Sequence, residues 1–367
     1  MNGRRKKLAL FLPSFRGGGA ERVMVTLVRG FAERGVGVDV LVAQHEGPNA
    51  PAPSTGIRIV DLRASRVLKS LPRLVRYLRQ ESPDVLLSAL PHVNVVSVLA
   101  GRLAGSRTRV VLTEHNTASL LASNSILFRA RILPMFMRPA YPRADAVIAV
   151  SDGVADDLAT LIGLDRKRII RIYNPVVTPE LLERAAEPLE HPWFGSGKSP
   201  VILGAGRLIK QKDFATLVRA FARVRERHES RLMIVGEGGD KEDLRALARS
   251  LGVEADVSFP GFVDNPYPYM KNSSMFALSS QWEGLPTVLL EAMACGTPVV
   301  STDCPSGPRE ILEGGRHGAL VPVGDPEALA RAIAAQLGKP AVPTAILRAR
   351  EFSLEAAVHG YREVLDL

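Results

Sequence analysis

The chain has 367 residues, 46% of them apolar and 23% charged, which is globular, carries no low-complexity block and is too long for one ordinary core. Its two cysteines, Cys295 and Cys304, exclude a disulfide framework, and no histidine pair stands beside them to suggest a metal site, so a reducing, cytoplasmic compartment is expected. The net charge of +9 is unevenly placed: residues 1–180 hold 26 lysines and arginines against 14 acids, or +12, and the remainder hold 21 against 24, or −3.

The opening MNGRRKKLALFLPSF has the basic head and apolar run of a secretion signal. Pro13 and Arg16 interrupt that run and no small-residue cleavage site follows, so a first β-strand is predicted instead. No window supplies the roughly 20 apolar residues of a bilayer span. Gly17-Gly18-Gly19 and the helix-like ERVMVTLVRGFAERG come next, then VGVDVLVAQ, the helical VLKSLPRLVRYLRQ, DVLLSAL, VVSVLAGRLAG, RVVLTEH and DAVIAVS. Short apolar runs alternating with helical stretches are the pattern of parallel β-α-β units. A polar, proline-bearing stretch from Thr178 to Pro200 separates this series from a second one. That series runs PVILGAGR, a helix from Phe214, RLMIVGEGG, a helix from Lys241, DVSFPGFV, SMFALSS, a helix after Pro286, and PVVSTD. The predicted class is α/β, with two doubly wound domains in tandem. They are expected at 1–177 and 200–350, with 178–199 as a linker and 351–367 as a C-terminal helix packing back on the first domain. Ligands in such sheets bind beyond the carboxyl ends of the strands.

Three loops at predicted strand ends carry chemistry. Gly17-Gly18-Gly19 lets backbone N–H groups approach an anion at a helix N-terminus, although a tight strand-to-helix turn would need only one glycine. The run has neither the Gly-Lys-Ser/Thr of a Walker loop nor the G-x-G-x-x-G dinucleotide spacing. GRLIKQKD sets Arg207 and Lys212 on one loop, with arginine as a fork and lysine as a point charge for a diphosphate. A solvated basic loop would look the same, and Lys210 is the neighbour most easily confused with Lys212. QWEGLPTVLLEAMACGTPVV places Glu283 and Glu291 eight positions apart in apolar company, where a carboxylate is costly unless something uses it. Pro286 fits a first helical turn, so Glu283 is expected in the loop before that helix and Glu291 on it. The N–H groups around Thr287 and Val288 would then face an anion. Ser306-Gly307-Pro308 is a further helix start near the same sheet edge.

Together these motifs, E-x7-E followed by AMACGTPVVSTD, GRLIKQKD upstream and the N-terminal GGGAERV, resemble glycosyltransferase family 4 over nearly the whole chain. The resemblance implies the GT-B fold, two Rossmann-like domains facing a central cleft, and retaining transfer from a nucleotide sugar, with UDP-linked N-acetylhexosamines frequent among the bacterial members that it further resembles, which extend polyprenyl-diphosphate-linked or other envelope oligosaccharides. It implies that Arg207 and Lys212 bind the donor diphosphate, that Glu283 holds donor-sugar hydroxyls and Glu291 the ribose, and that Gly18 and Gly19 lie near the phosphates or acceptor. His115, in TEHN, matches a histidine near the reacting sugar; for a histidine read alone, a hydrogen bond at a strand end is the commoner fate. The expected donor-binding set also takes in Phe262, Val263, Gly284, Leu285, Pro286, Thr287 and Val288. Many relatives have E-x-F-G where this chain has Glu283-Gly284-Leu285-Pro286. Proline has no N–H, so a sugar contact from that amide is absent here.

No Asp-x-Asp is present, so Arg207, Lys212 and helix N-termini are expected to stabilise the leaving diphosphate without a metal or other cofactor. The acceptor side is expected in the basic first half. SRVLKSLPRLVRYLRQ spaces Arg66, Lys69, Arg73 and Arg76 among leucines, and SILFRARILPMFMRPAYPR mixes bulky apolar residues with Arg129, Arg131 and Arg138. Basic amphipathic stretches read as segments on an anionic membrane surface, although solvated helix faces share the pattern. The expected partners are a nucleotide sugar, the anionic inner face of the cytoplasmic membrane and, as the resemblance implies, a polyprenyl-diphosphate-linked saccharide acceptor. The competing readings are a same-fold epimerase or phosphorylase, a non-catalytic sugar-binding relative, and a nucleic-acid binder. The basic regions carry few aromatics for base stacking, so no nucleic acid is expected.

Overall fold

The computed structural model describes residues 6–16, 19–47, 49–51, 56–124 and 128–367. The chain divides into two units, Met1–Pro175 with Leu354–Leu367, and Val176–Ser353. The described strands of the first are β1 (Lys7–Leu12), β2 (Gly37–Val42), β3 (Ile57–Asp61), β4 (Val85–Ala89), β5 (Arg109–Glu114), β6 (Ala146–Ala149) and β7 (Ile169–Arg171). They form one sheet in the order β3-β2-β1-β4-β5-β6-β7, every neighbouring pair parallel.

Strand β1 shows why this sequence takes that form. KLALFL is apolar on both faces, as a strand covered by helices on each side requires. Leu8, Leu10 and Leu12 join Met24 and Phe31 of the helix Gly19–Glu33 in one core cluster. Ala9 and Phe11 face the other way, toward Val93 and Val96 of the helix Pro91–Ala104 and Leu74 and Leu78 of the helix Leu71–Glu81. The C-terminal helix Leu354–Leu365 adds Val358 and Tyr361 to the first cluster. Its contact point is Gly30, where a Cβ would stand 2.9 Å from Leu354 Cδ1 and from Val358 Cγ2. The ~1 kcal/mol that a mid-helix glycine costs is thereby exchanged for close helix–helix approach.

The second unit holds β8 (Val201–Ala205), β9 (Arg231–Val235), β10 (Val257–Gly261), β11 (Met275–Leu278), β12 (Val299–Thr302) and β13 (Ala319–Val321). Their order is β10-β9-β8-β11-β12-β13, again all parallel. Ile202, Leu232, Ile234 and Met275 cluster with Phe214, Leu217 and Phe221 of the helix Phe214–Arg225. Residues 178–199, expected as a linker, belong to this unit. Thr178 caps the helix Pro179–Ala185 by accepting from the Leu181 amide at 3.1 Å. Arg184 pairs with Asp264 at 2.9 Å, and His191 and Phe194 pack edge-to-face on Tyr269. Prolines and hydroxyls serve caps as well as linkers, which is why composition misread the stretch. The chain enters this unit beside the point where it leaves: the amides of Val176 and Val177 both donate to the Phe352 carbonyl, at 2.9 and 3.0 Å. No helix among the described residues is long and apolar enough to cross a membrane.

Candidate active site

Each sheet reverses its strand order once, and at that point the connections leave in opposite directions and open a crevice at the carboxyl edge. In the second unit the reversal falls between β8 and β11, so it is flanked by the loops 206–213 (GRLIKQKD) and 279–286 (SSQWEGLP). Main chain and side chains lace them together. Ser279 Oγ donates to the Lys212 carbonyl at 2.8 Å, the Gln281 amide to the Gln211 carbonyl at 2.8 Å, and Gln211 Nε2 to the Trp282 carbonyl at 2.9 Å. Asp213, in the left-handed region at φ 45°, closes the first loop and caps the Phe214–Arg225 helix through Thr216.

On this scaffold Lys212 Nζ donates to Glu283 Oε1 at 2.6 Å, and Ser280 Oγ donates to the same oxygen at 2.6 Å. Glu283 is 5% exposed, so the ammonium and the hydroxyl are what allow its carboxylate to be there. Glu283 uses one of the three ammonium N–H groups, which leaves Lys212 with donor capacity for an anion at the same loop. Lys210 is exposed on the short turn that carries both lysines, so Lys212 is the inward one. Arg207 is exposed, and among the described residues no carboxylate pairs with it.

Gly284, Leu285 and Pro286 are buried. The helix they lead into is Thr287–Ala294, with Pro286 as its N-cap in extended conformation, one residue earlier than the first-turn position expected for it. Thr287 and Val288 are half-buried, and Glu291 is 2% exposed on the helix. A third loop backs the second: the Glu283 amide donates to the Pro305 carbonyl at 3.1 Å. Gly307, at φ 93°, lies so close that a Cβ would stand 2.4 Å from Pro286 Cδ, a position open only to glycine. The helix that follows it, Pro308–Ile311, is a single turn. Phe262, 76% exposed, and the half-buried Val263 follow directly on the edge strand β10.

In the first unit the reversal lies between β1 and β4. Gly18 lies outside the described residues. Gly19 opens its helix, and a Cβ there would meet no atom of the described residues within 4 Å, so none of their packing contacts demands glycine. His115 directly follows β5 and is 7% exposed. Burial depresses its pKa to about 4, so the imidazole is neutral at physiological pH. Thr113 Oγ1 donates to the Ser88 carbonyl at 2.9 Å and stands 3.2 Å from His115 Nε2. With the Thr113 proton on the Ser88 carbonyl, Nε2 carries the ring proton and Nδ1 is the acceptor; Nδ1 is buried and has no partner among the described residues.

Sequence reasoning passed over the residue before it. Glu114 is 1% exposed, and its Oε1 accepts from Asn94 Nδ2 at 2.8 Å and from the Tyr141 hydroxyl. Burial pushes its pKa up to about 7 against these two bonds, and the charge of Asp157 adds to the rise. The signal that could have found it is the one used for Glu283: an acid inside an apolar run, here RVVLTEH.

Among the basic residues, Arg66, Lys69, Arg76, Arg131 and Arg138 are exposed. Arg73, also exposed, donates to the Leu62 and Arg63 carbonyls at 2.5 and 2.6 Å, so its guanidinium also holds the connection after β3. The Arg129 side chain lies outside the described residues. Leu68, Met135 and Phe136 are exposed apolar residues of the same segments. The helices Leu71–Glu81 and Phe128–Ala140 both pack against Pro91–Ala104.

Two all-parallel, doubly wound units, with charged loops at the switch point of the second, define a two-domain Rossmann-like protein of the GT-B class. Solved structures share that fold over nearly the full chain. They include Anabaena HepE in complex with UDP-glucose, at 20% identity and a TM-score of 0.75, covering 98% of this chain and 99% of that one. They also include sucrose-phosphate synthase from Thermosynechococcus elongatus, at 20% identity and a TM-score of 0.79, covering 99% and 98%.

Residues 17–179 match the family described as Glycosyltransferase Family 4, and residues 190–349 match Glycosyl transferases group 1. The N-acetylgalactosamine-N,N'-diacetylbacillosaminyl-diphospho-undecaprenol 4-alpha-N-acetylgalactosaminyltransferase of Campylobacter jejuni is 30% identical over 87% of this chain and 86% of that protein. The lipopolysaccharide core biosynthesis glycosyltransferase LpsE of Rhizobium meliloti is 29% identical over 95% and 96%. The chain belongs to glycosyltransferase family 4, and is a glycosyltransferase.

Proposed function

We propose that the enzyme moves a hexosyl or N-acetylhexosaminyl group from a UDP-sugar, with retention, to a polyprenyl-diphosphate-linked saccharide in cell-envelope glycan synthesis. The observation that carries this reading is the Lys212–Glu283 pair at the mouth of β8 and β11, with Arg207 exposed on the same loop. Arg207 and Lys212 bind and neutralise the diphosphate, Glu283 accepts from donor-sugar hydroxyls, and Glu291 holds the ribose. Gly18, Gly19, Phe262, Val263 and the 284–288 segment complete the donor set. His115 accepts a hydroxyl of the reacting sugar at Nδ1, the role its free lone pair supports. The bond from the sugar's anomeric carbon to the diphosphate breaks, the bond to the acceptor oxygen forms on the same face, and the departing phosphate oxygen takes the acceptor's proton. Glu283 suits positioning better than nucleophilic attack, because Lys212 and Ser280 hold the carboxylate in place. The reading needs no metal, so full turnover should persist in EDTA.

The lipid acceptor is supported by the Campylobacter relative, whose name specifies a diphospho-undecaprenol-linked substrate. The UDP donor is supported by the HepE complexes with UDP and UDP-glucose. The exposed Arg66, Lys69, Arg76, Arg131, Leu68, Met135 and Phe136 support peripheral binding to the anionic inner face of the cytoplasmic membrane. The test is a donor screen against a lipid-diphosphate saccharide, reading product mass and the anomeric configuration by NMR. A retained linkage with UDP release only when acceptor is present is expected. An inverted product or a trapped glycosylated side chain would overturn the mechanism, and a requirement for inorganic phosphate would indicate a phosphorylase instead.

A further inference from the structure

Behind β5 lies a polar cluster that the reading above leaves without a task. Ser88 Oγ donates to Asn94 Oδ1 at 2.8 Å, and Asn94 Nδ2 donates to the Thr113 carbonyl at 2.9 Å and to Glu114 Oε1 at 2.8 Å. Tyr141, fully buried, donates its hydroxyl to the same carboxyl oxygen. The other oxygen, Glu114 Oε2, is buried and has no partner among the described residues. The cluster also spans a strained turn. Leu90, just after β4, sits at φ 82° and ψ 136°, a region that side chains avoid, and its carbonyl takes the Val93 and Asn94 amides at 3.0 and 2.9 Å.

Stability alone explains this poorly. An orphaned buried oxygen is destabilising, and a non-glycine residue in such a conformation adds backbone strain. Both costs fall at one place, the carboxyl edge of β4 and β5, where the first unit's switch point and His115 also lie. Side chains alternate across a strand, so Thr113 and His115 share one face of β5 while Glu114 points to the other. What Glu114 holds is therefore the backbone that carries His115, gripped from behind by a helix residue (Asn94) and by the turn before β6 (Tyr141).

We propose that Glu114 is a positioning residue: as the acceptor shared by Asn94 and Tyr141, its carboxyl fixes the strand end on which His115 meets the reacting sugar. The inference rests on the reading of His115 given above, and it requires the acceptor oxygen rather than the negative charge. The test compares turnover, KM for the UDP-sugar, the UDP-induced thermal shift and the His115 ring 15N signals, assigned by their loss in His115→Gln. Glu114→Leu should lower kcat about ten- to a hundredfold, as displacement of a positioned group does. It should leave the UDP-induced shift and the KM for the UDP-sugar unchanged, and broaden the 15N signature of the Nε2-protonated imidazole. Glu114→Gln, which keeps Oε1, should restore both kcat and that signature. If Glu114→Leu fails to fold, Tyr141→Phe, which removes one grip and leaves the chain packed, should lower kcat and alter the same 15N signals. Wild-type kcat with an unaltered His115 spectrum in a folded Glu114→Leu or Tyr141→Phe overturns the proposal, as does a Glu114→Gln enzyme no better than Glu114→Leu. Full activity in His115→Gln would instead remove the reading of His115 on which the proposal stands.

Discussion

In the second unit a lysine and a glutamate meet on two loops that leave adjacent strands, and the lysine keeps donors to spare. In the first unit a glutamate and a histidine sit at the end of a central strand, and what holds the glutamate comes from residues 94 and 141, brought there by the fold. The two arrangements solve different problems. A loop-borne ion pair can exchange part of its coordination for a ligand's phosphate at little cost to the fold. A buried carboxyl cannot exchange its partners, so what it contributes is position. Mutations should therefore separate the regions by what they change: affinity and charge stabilisation in the second unit, geometry in the first.

The sharpest break of that comparison is Glu283→Ala. Loss of the acceptor proposed to position the sugar should lower kcat by about 10²–10³-fold, the range seen when one preorganised contact to a reacting group is removed. UDP affinity should change far less, read by isothermal titration. Equal losses in both would place Glu283 on the nucleotide instead. Next is the set proposed to face the membrane. Replacing Arg66, Lys69 and Arg76 together with glutamine removes three exposed cations worth about 1 kcal/mol each near an anionic surface. Partition onto phosphatidylglycerol vesicles at low salt should then drop roughly a hundredfold, while turnover on a short-chain soluble acceptor is retained. Arg73→Gln belongs outside this set because its guanidinium braces main chain, and it should lower Tm instead. Lys212→Met should reduce both UDP affinity and kcat, each about tenfold or more, because it removes the cation proposed for the diphosphate and takes the ammonium away from the buried Glu283 carboxylate.

Most of the fold and half of this comparison could be read from the chain alone. Alternating apolar and helical runs are local features, and they located both parallel sheets. GRLIKQKD and QWEGLP are contiguous motifs at predicted strand ends, so Lys212 and Glu283 stood out as candidates, and the family resemblance of the joint motif set supplied their expected roles; the structure brings them within 2.6 Å. Other features were illegible for a physical reason. Thr178 and the prolines near it read as a linker because capping and disorder draw on the same residues. Arg73 read as a free cation because its carbonyl partners come from an irregular connection that no periodicity describes. Glu114 was overshadowed by the histidine beside it, and its partners Asn94 and Tyr141 carry no mark of their own in sequence. An acid within RVVLTEH was the available clue, and it has the same form as the clue at Glu283.

The smallest effect is also the most diagnostic of the buried pair, because Glu114 and His115 are linked to pH with opposite sign. The Glu114 carboxyl is raised from 4.5 to about 7 on folding, so between those values the folded state holds a proton that the unfolded state has lost. Its contribution to stability is fully present below pH 4.5 and is lost as pH rises through 7. The His115 imidazole is lowered from 6.5 to about 4, so in that window the unfolded state holds the extra proton, and stability is lost as pH falls. Where the windows overlap, from 4.5 to 6.5, the two slopes oppose and nearly cancel. Denaturant titrations at a series of pH values should therefore show each single variant steeper than the wild type, in opposite directions. Glu114→Gln leaves the histidine term alone and should lose stability, relative to wild type, as pH drops from 6.5 toward 4.5, by about 1 kcal/mol per unit. His115→Gln leaves the glutamate term and should lose stability as pH rises over the same range. The double variant should track the wild type. Parallel profiles for all four proteins would mean that neither group is buried in the protonation state that the first unit's packing imposes.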